Sequence, residues 1–221
     1  MPIITIAREY GAGGSSVASL LAQELGADVV DRSLIADVAR RASLPPDEVA
    51  AEDEQGRTVL DRLARLFVPF GEAAAGWAVD PTDLLDHHAV IVDFTRAALR
   101  EAARSGNAVI VGRGGAEELR DQPDACHVFL WAPERDRIRS IQERLGCDEA
   151  TARREIHSVD ARRAAYIREV HGVDWHDRAL YDMVINTARL GYAGAAAAIL
   201  GVVRSRHPRG MQASSASGPA R

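Results

Sequence analysis

The stretch IITIAREYGAGGSS, residues 3–16, decides the fold class of this chain. Its first four residues are apolar or β-branched and glycines follow closely, which predicts a buried strand of a parallel sheet. Apolar residues then recur at helical spacing over residues 15–25, and Gly26 ends the pattern. A strand, a glycine-rich turn and a helix in this order indicate the start of an α/β domain.

The glycine-rich segment has the position and composition of a phosphate-binding loop. Glycines let successive backbone N–H groups face an anion, and the helix N-terminus adds its positive dipole end. In an alignment with G-x-x-x-x-G-K-[ST], Gly13 takes the second glycine and Ser15 the hydroxyl position. Arg8 replaces the first glycine and Gly14 replaces the lysine. Two alternatives stay open: a tight turn that only joins strand to helix, and a dinucleotide loop, although G-x-G-x-x-G fails at Ser16.

Strands and helices alternate along the rest of the chain. Strands are predicted at residues 28–31, 108–111, 126–131 and 183–185, and helices at residues 33–41, 84–103, 133–145, 148–170 and 192–203. This alternation predicts an α/β fold of three layers, with one parallel sheet between helices on both faces. We expect one domain over residues 1–204, with a helical insertion at 44–82, an arginine-rich lid at 148–178 and a disordered tail at 205–221.

The composition limits the kind of partner. The 221 residues are 47% hydrophobic and carry a net charge of -5, so a sizeable core is expected, and no overall positive field would attract nucleic acid or a membrane. All 27 basic residues are arginine, so any phosphate contact that lysine makes in other proteins must be made here by arginine, a backbone N–H group or a metal ion. Cys126 and Cys147 form no C-x-x-C pair, and no signal or membrane segment is recognisable. We expect a cytoplasmic protein, with a homodimer as one option for its oligomeric state.

A second candidate anion site follows the strand at residues 108–111. Arg113 lies there between two glycines, at the carboxyl end of a parallel strand, where ligands of open α/β sheets bind. A guanidinium can hold a phosphate through two hydrogen bonds. The alternative is a surface arginine paired with Glu117 or Glu118.

Arginines are also concentrated in the two helices after Pro133. They are Arg135, Arg137, Arg139, Arg153, Arg154, Arg162 and Arg163. Asp160 and Arg163 are three residues apart and share a helix face. Enzymes of phosphoryl transfer bring several cations to the transferring group, often on a mobile lid. For any single arginine, a solvated helix with local ion pairs is the alternative.

Three segments together resemble the cytidylate-kinase-like family of P-loop nucleoside monophosphate kinases. Residues 3–22 are similar to the family's R-E-[FY]-G-[SA]-G-G run, and VIVGRGGAEEL at residues 109–119 is similar to its second signature. REIHSVDARRAAYIREVHGVDWHD at residues 154–177 and YDMVINTARL at residues 181–190 look like its lid and last strand. The resemblance covers residues 3–200. Gly14 departs from the P-loop lysine, and Gly114 departs from the aspartate of the bacterial G-R-D segment.

The resemblance implies a kinase that uses ATP and Mg²⁺. The ATP phosphates would lie on Gly11, Ala12, Gly13, Gly14, Ser15 and Ser16, with Mg²⁺ near Ser15. The acceptor would lie between the core and the insertion, bound by Asp31, Arg32 and Arg113, with its phosphate on Arg113. The catalytic residues would be Arg8, Asp160 and Arg163, with Arg163 stabilising the transferring phosphoryl group and Arg8 nearest to replace the lysine.

We therefore expect an enzyme that transfers a phosphoryl group from ATP to a nucleoside monophosphate, CMP or dCMP first. Its partner would be a small nucleotide, and neither nucleic acid nor a membrane. Two alternatives stay open. One is a P-loop kinase for another small acceptor, and the other is a non-catalytic nucleotide-binding protein that kept the fold.

Overall fold

The computed structural model describes residues 2–31 and 84–206, and its centre is a sheet of five parallel strands. The strands are β1 (Ile3–Arg8), β2 (Asp28–Val30), β3 (Ala108–Val111), β4 (Ala125–Trp131) and β5 (Met183–Asn186), in the order β2-β3-β1-β4-β5. The second and third strands lie on one side of β1, and the fourth and fifth lie on the other. A crevice for a ligand is therefore expected at the carboxyl end of β1.

Helices cover both faces of this sheet, as predicted. The helices are α1 (Gly14–Leu25), α2 (Leu84–Ser105), α3 (Gly115–Glu118), α4 (Glu134–Leu145), α5 (Glu149–His171) and α6 (Thr187–Arg206), with a 3₁₀ turn at Arg178–Leu180. Successive side chains of a strand point to opposite faces. Ile4 and Ile6 accordingly pack against α1 and α6, whereas Ile3 packs against α2. Two apolar clusters on opposite faces thus hold three layers together.

The predicted and observed ends of β1 and α6 differ in ways that the structure explains. Strand β1 extends to Arg8, because Ala7 and Arg8 continue to pair with Phe129 and Leu130 of β4. A short helical turn at residues 187–190 precedes the predicted helix, and the backbone is non-helical at Gly191, where φ is 67° and ψ is 170°, so the long part of α6 begins at Tyr192 as predicted. It also continues to Arg206, so the predicted tail loses its first two residues to the helix.

Several predictions concern residues outside the described ranges. These are the helix at 33–41, the insertion at 44–82, Arg32 and the rest of the tail. Across residues 2–31 and 84–206, no helix combines the length and the apolar character needed to cross a membrane.

Candidate functional site

A cavity of about 490 Å³ opens at the carboxyl edge of the sheet, between the loops after β1 and β3 and the inner side of α5. This volume is typical of small-molecule sites. Four arginines line the cavity together with one carboxylate and two phenols: Arg8, Arg113, Arg162, Arg163, Glu117, Tyr10 and Tyr166. Such a set suits an anionic ligand that also carries polar groups.

The loop after β1 has the backbone of an anion site. Gly11 and Gly13 have φ of 87° and 80°, a region that glycine enters without steric cost. Gly13 is also the N-cap of α1, and no side chain caps this helix. The N–H groups of its first turn therefore lack intrahelical partners and can bind an anion. Ser15 and Ser16 are exposed in that turn.

Close contacts explain why this loop carries so few side chains. A Cβ at Gly11 would lie 2.9 Å from the backbone oxygen of Arg137, and a Cβ at Gly13 would overlap the ring of Tyr192. Neighbouring elements thus approach the bare backbone directly. These two positions therefore need glycine for close packing as well as for their positive φ.

Arg8, the last residue of β1, lies in the cavity wall rather than in the loop. Its side chain runs over Gly14, where a Cβ would lie 2.6 Å from Arg8 Cγ, and its guanidinium contacts Gly112. Burial, together with the charges of Arg163 and Arg113, lowers the pKa of Arg8 to about 10, although the carboxylates of Asp31 and Asp160 oppose this shift. The guanidinium stays protonated at neutral pH, so it is a buried cation beside two others.

Arg113 has a strained backbone. Its φ is 62°, and Gly112 and Gly114 on either side also have positive φ. A non-glycine residue pays about 1 kcal/mol or more for this conformation, and such strain is concentrated at functional sites. The ring of His171 occupies the space that a side chain at Gly114 would fill. A histidine from α5 therefore occupies the space that the aspartate of the G-R-D pattern would need.

Asp160 connects α5 to the loop after β1. Its Oδ1 accepts a hydrogen bond of 2.8 Å from the N–H of Tyr10, and its Oδ2 accepts one of 2.6 Å from Nη1 of Arg137. Arg137 Nε also lies 3.3 Å from Oε2 of Glu9, which accepts a hydrogen bond from the N–H of Ala132. The carboxylate of Asp160 is thus engaged within the protein, which suits a positioning role.

Arg163 reaches the same loop. Its Nη1 donates a hydrogen bond of 2.8 Å to the backbone oxygen of Arg8, and its guanidinium lies 5.6 Å from the ring centroid of Tyr10. Burial lowers the pKa of Arg163, whereas Asp160 raises it. The predicted catalytic residues Arg8, Asp160 and Arg163 are therefore brought together at one point.

Sequence reasoning did not single out Glu9, Tyr10 or the special place of Arg137. Tyr10 packs against the apolar cluster between α4 and α5, and Arg144 lies over its ring at 4.7 Å. The only available signal was the position of Glu9 and Tyr10 within the R-E-Y-G run. A helix 150 residues away cannot be paired with that run by spacing.

Most of the other arginines of α4 and α5 fit the alternative of a solvated helix with local ion pairs. Arg153 pairs with Glu149 at 2.7 Å, Arg154 donates to Thr151, and Arg139 lies 3.9 Å from Asp136. These are exposed, local contacts that contribute little. Glu118, considered above as a partner of Arg113, pairs with Arg100 at 2.6 Å and with Arg96 at 3.4 Å.

Asp31 follows the end of β2 and lies close enough to Arg8 to raise the pKa of that arginine.

A second cavity of about 200 Å³ lies on the other side of the loop after β1. Its lining residues are Gly11, Ala132, Asp136, Thr187, Ala188, Gly191 and Tyr192. Within the described ranges, no group of three His, Cys, Asp or Glu side chains could hold a metal ion by itself.

The model of the cytidylate kinase-like family matches residues 3–189. The chain belongs to the cytidylate kinase-like family. The cytidylate kinase of Methanothermobacter thermautotrophicus is 28% identical over 85% of this chain and 96% of its own length. That of Methanopyrus kandleri is 33% identical over 41% of this chain, and there the chain spans about half of the relative's length.

A solved structure has the same fold. The crystal structure of an uncharacterized protein from Eubacterium ventriosum superposes with a TM-score of 0.66 at 24% identity, over 93% of this chain and all of that one. The cytidylate kinase-like chain thus has the layered α/β fold with one parallel sheet that its sequence predicted. Family and fold together support a kinase.

Proposed function

We propose that this protein transfers the terminal phosphoryl group of ATP to a nucleoside monophosphate. The observation that carries this proposal is the convergence of Arg8, Arg113 and Arg163 on one cavity beside an uncapped helix N-terminus. Phosphoryl transfer depends on positioning two anions and neutralising the charge between them, and this is what such a cluster provides. Family membership supports the same reaction.

The donor phosphates are assigned to the loop from Gly11 to Ser16. The uncapped N–H groups of α1 face that place, and the dipole of α1 favours a negative charge there. The smaller cavity between Gly11 and Tyr192 adjoins the loop, and we assign the base of ATP to it.

Magnesium is assigned to Ser15. Its exposed position in the first turn of α1 fits a cation that takes one hydroxyl from the protein and its other oxygens from phosphates and water. When held at Ser15, Mg²⁺ would supply positive charge that offsets the charge developing on the phosphates.

The acceptor is assigned to the opposite end of the large cavity. Arg113 would hold its phosphate through two hydrogen bonds, with Asp31 and Arg32 at the neighbouring strand end. Arg32 lies outside the described residues, so its part rests on the sequence alone.

In the transfer itself, an oxygen of the acceptor phosphate forms a bond to the γ-phosphorus. The bond from that phosphorus to the β,γ-bridging oxygen breaks, and ADP leaves with that electron pair. Arg8 and Arg163 stabilise the charge on the transferring group. Asp160 acts through other groups, because its oxygens already bind the Tyr10 N–H and Arg137.

CMP or dCMP is the proposed acceptor, because relatives over most of the chain are named cytidylate kinase. The test is product analysis after incubation with Mg-ATP and each common ribo- and deoxyribonucleoside monophosphate. Arg113→Ala is compared with Arg104→Ala, an arginine of α2 that is 73% exposed and pairs with Glu101. We expect CDP or dCDP from the wild type and from Arg104→Ala, and a loss of at least about 100-fold in Arg113→Ala.

Two other outcomes would change the assignment. Phosphorylation of a different monophosphate would correct the acceptor and leave the reaction in place. Binding of ATP, detected as a rise in melting temperature, without any ADP would favour the non-catalytic nucleotide-binding alternative.

A further inference from the structure

Arg8 and Gly14 share one space beside the loop. The Arg8 side chain leaves the end of β1 and crosses the start of α1, so that a Cβ at Gly14 would lie 2.6 Å from Arg8 Cγ and 3.1 Å from Cδ. A contact of 2.6 Å is shorter than real Cβ atoms make with a neighbouring side chain. With Arg8 in this place, position 14 therefore accepts no side chain, although the P-loop pattern has lysine there.

A second glycine receives the other end of the same side chain. A Cβ at Gly112, in the loop after β3, would overlap Nη1 of Arg8. The guanidinium therefore lies between the two loops that border the large cavity. Gly14 and Gly112 together form a channel for one arginine side chain.

The charges around that guanidinium point to an anionic ligand. Arg113 and Arg163 line the same cavity and are close enough to Arg8 to disfavour its protonated form. Like charges that are gathered and partly buried cost free energy unless an anion joins them. The carboxylates of Asp31 and Asp160 offset part of this repulsion.

We propose that Arg8 performs the role of the missing P-loop lysine, and that Gly14 is glycine because the arginine occupies the lysine's space. This inference rests on the proposed function for the identity of the anion, a triphosphate donor. The cation comes from the end of β1 rather than from α1. It therefore reaches from the donor's terminal phosphate toward the acceptor end at Gly112, and its planar fork can hydrogen-bond two oxygens at once.

The test exchanges the two positions. Wild type, Arg8→Ala, Gly14→Lys and the double variant Arg8→Ala/Gly14→Lys are compared in turnover with the best acceptor, in ATP affinity by calorimetry and in melting temperature. Arg8→Ala should lose about 100-fold or more in kcat. Gly14→Lys alone should also lose activity, because the new side chain collides with Arg8. The double variant should regain at least about tenfold over Arg8→Ala, since a lysine can then enter the vacated space.

Two conservative substitutions of Arg8 provide a second test in case the Arg8→Ala and Gly14→Lys variants fold poorly. Arg8→Lys keeps a cation and Arg8→Met keeps apolar bulk, so a role of the charge predicts at least about tenfold more activity in Arg8→Lys. Equal activities of these two variants at similar melting temperatures would overturn the proposal and leave Arg8 a packing residue. Arg104→Ala on the far helix is the matched control and should match the wild type.

The outcome also separates this proposal from the proposed function. Normal turnover in Arg8→Ala would refute the role of Arg8 and leave the kinase assignment standing. If the wild type phosphorylates no acceptor, ATP affinity decides the role of Arg8. Weakening of about tenfold in Arg8→Ala with recovery in the double variant would then support it, and an unchanged affinity would refute it.

Discussion

At the scale of single residues, side chains from elsewhere in the chain occupy the space beside two glycines of the site. Arg8 crosses Gly14 and His171 packs on Gly114, so both departures from the family pattern are filled from elsewhere in the chain. In the sequence alone, glycine replaces the P-loop lysine at position 14 and the aspartate of the G-R-D segment at position 114. In three dimensions, the aliphatic part of the Arg8 side chain lies over Gly14, and the imidazole of His171 lies on Gly114.

Arg113 gives a prediction about strain. Arg113→Gly and Arg113→Ala both remove the guanidinium, but only glycine relieves the positive φ of 62°. We expect Arg113→Gly to exceed Arg113→Ala by about 1 kcal/mol in free energy of unfolding, measured by denaturant titration, while both lose acceptor phosphorylation.

Equal stability of these two variants would show that the backbone at this position is not strained. Retained phosphorylation in both would show that the guanidinium does not hold the acceptor.

His127 gives a prediction about pH. It is buried in β4, and its Nδ1 lies 2.8 Å from Oγ1 of Thr5. Burial lowers its pKa below the usual 6.5, against the opposing effect of Asp182. The unfolded chain therefore binds a proton first as the pH falls, and stability is lost below about pH 6.5. His127→Asn should reduce this loss, by at most about 1.4 kcal/mol per pH unit.

The measurement is the free energy of unfolding of both proteins from pH 7.5 to pH 5. His171, whose pKa burial also lowers, is present in both and cancels in the difference. Parallel curves for the two proteins would contradict the account of His127.

At the scale of elements, the contact of α5 with the loop after β1 organises the site. Asp160 and Arg163 reach that loop from one face of α5, while Tyr10 packs into the apolar cluster between α4 and α5. The helix that the sequence identified as a lid is docked on the loop in this structure. Loop and lid residues are therefore positioned by one another.

A substitution of Arg137 tests whether its ion pairs hold α5 on the loop after β1. Its side chain is only 11% exposed and contacts Asp160 and Glu9. Arg137→Met would remove the cation that Glu9 and Asp160 share and would leave Asp160, among the described residues, only Arg163 at 3.5 Å, so we expect a loss of about 2–3 kcal/mol in the free energy of unfolding and a lower kcat. Arg139→Ala, two residues away and 71% exposed, should change stability by less than about 0.5 kcal/mol.

Chemical denaturation of the two variants beside the wild type decides this prediction. A cost at Arg137 no larger than that at Arg139 would mean that the ion pairs of Asp160 do not hold α5 on the loop.

At the scale of the whole molecule, sequence reasoning predicted the layers, the parallel sheet and the edge where the site lies. Periodicity and glycine turns are local signals, and they placed each described strand to within two residues. The network around Asp160 was beyond such reasoning, because Tyr10 and Asp160 are 150 residues apart. The cytoplasmic location, the homodimer and the roles of residues 44–82 stay predictions.

The central claim is that donor and acceptor phosphates meet between the loop at Gly11–Ser16 and Arg113. The most direct measurement is a crystal structure with a bisubstrate analogue in which a chain of phosphates joins adenosine to cytidine. We predict that the chain begins on the N-terminus of α1, passes Arg8 and Arg163, and ends on Arg113. Phosphates bound away from these three guanidinium groups would contradict the account.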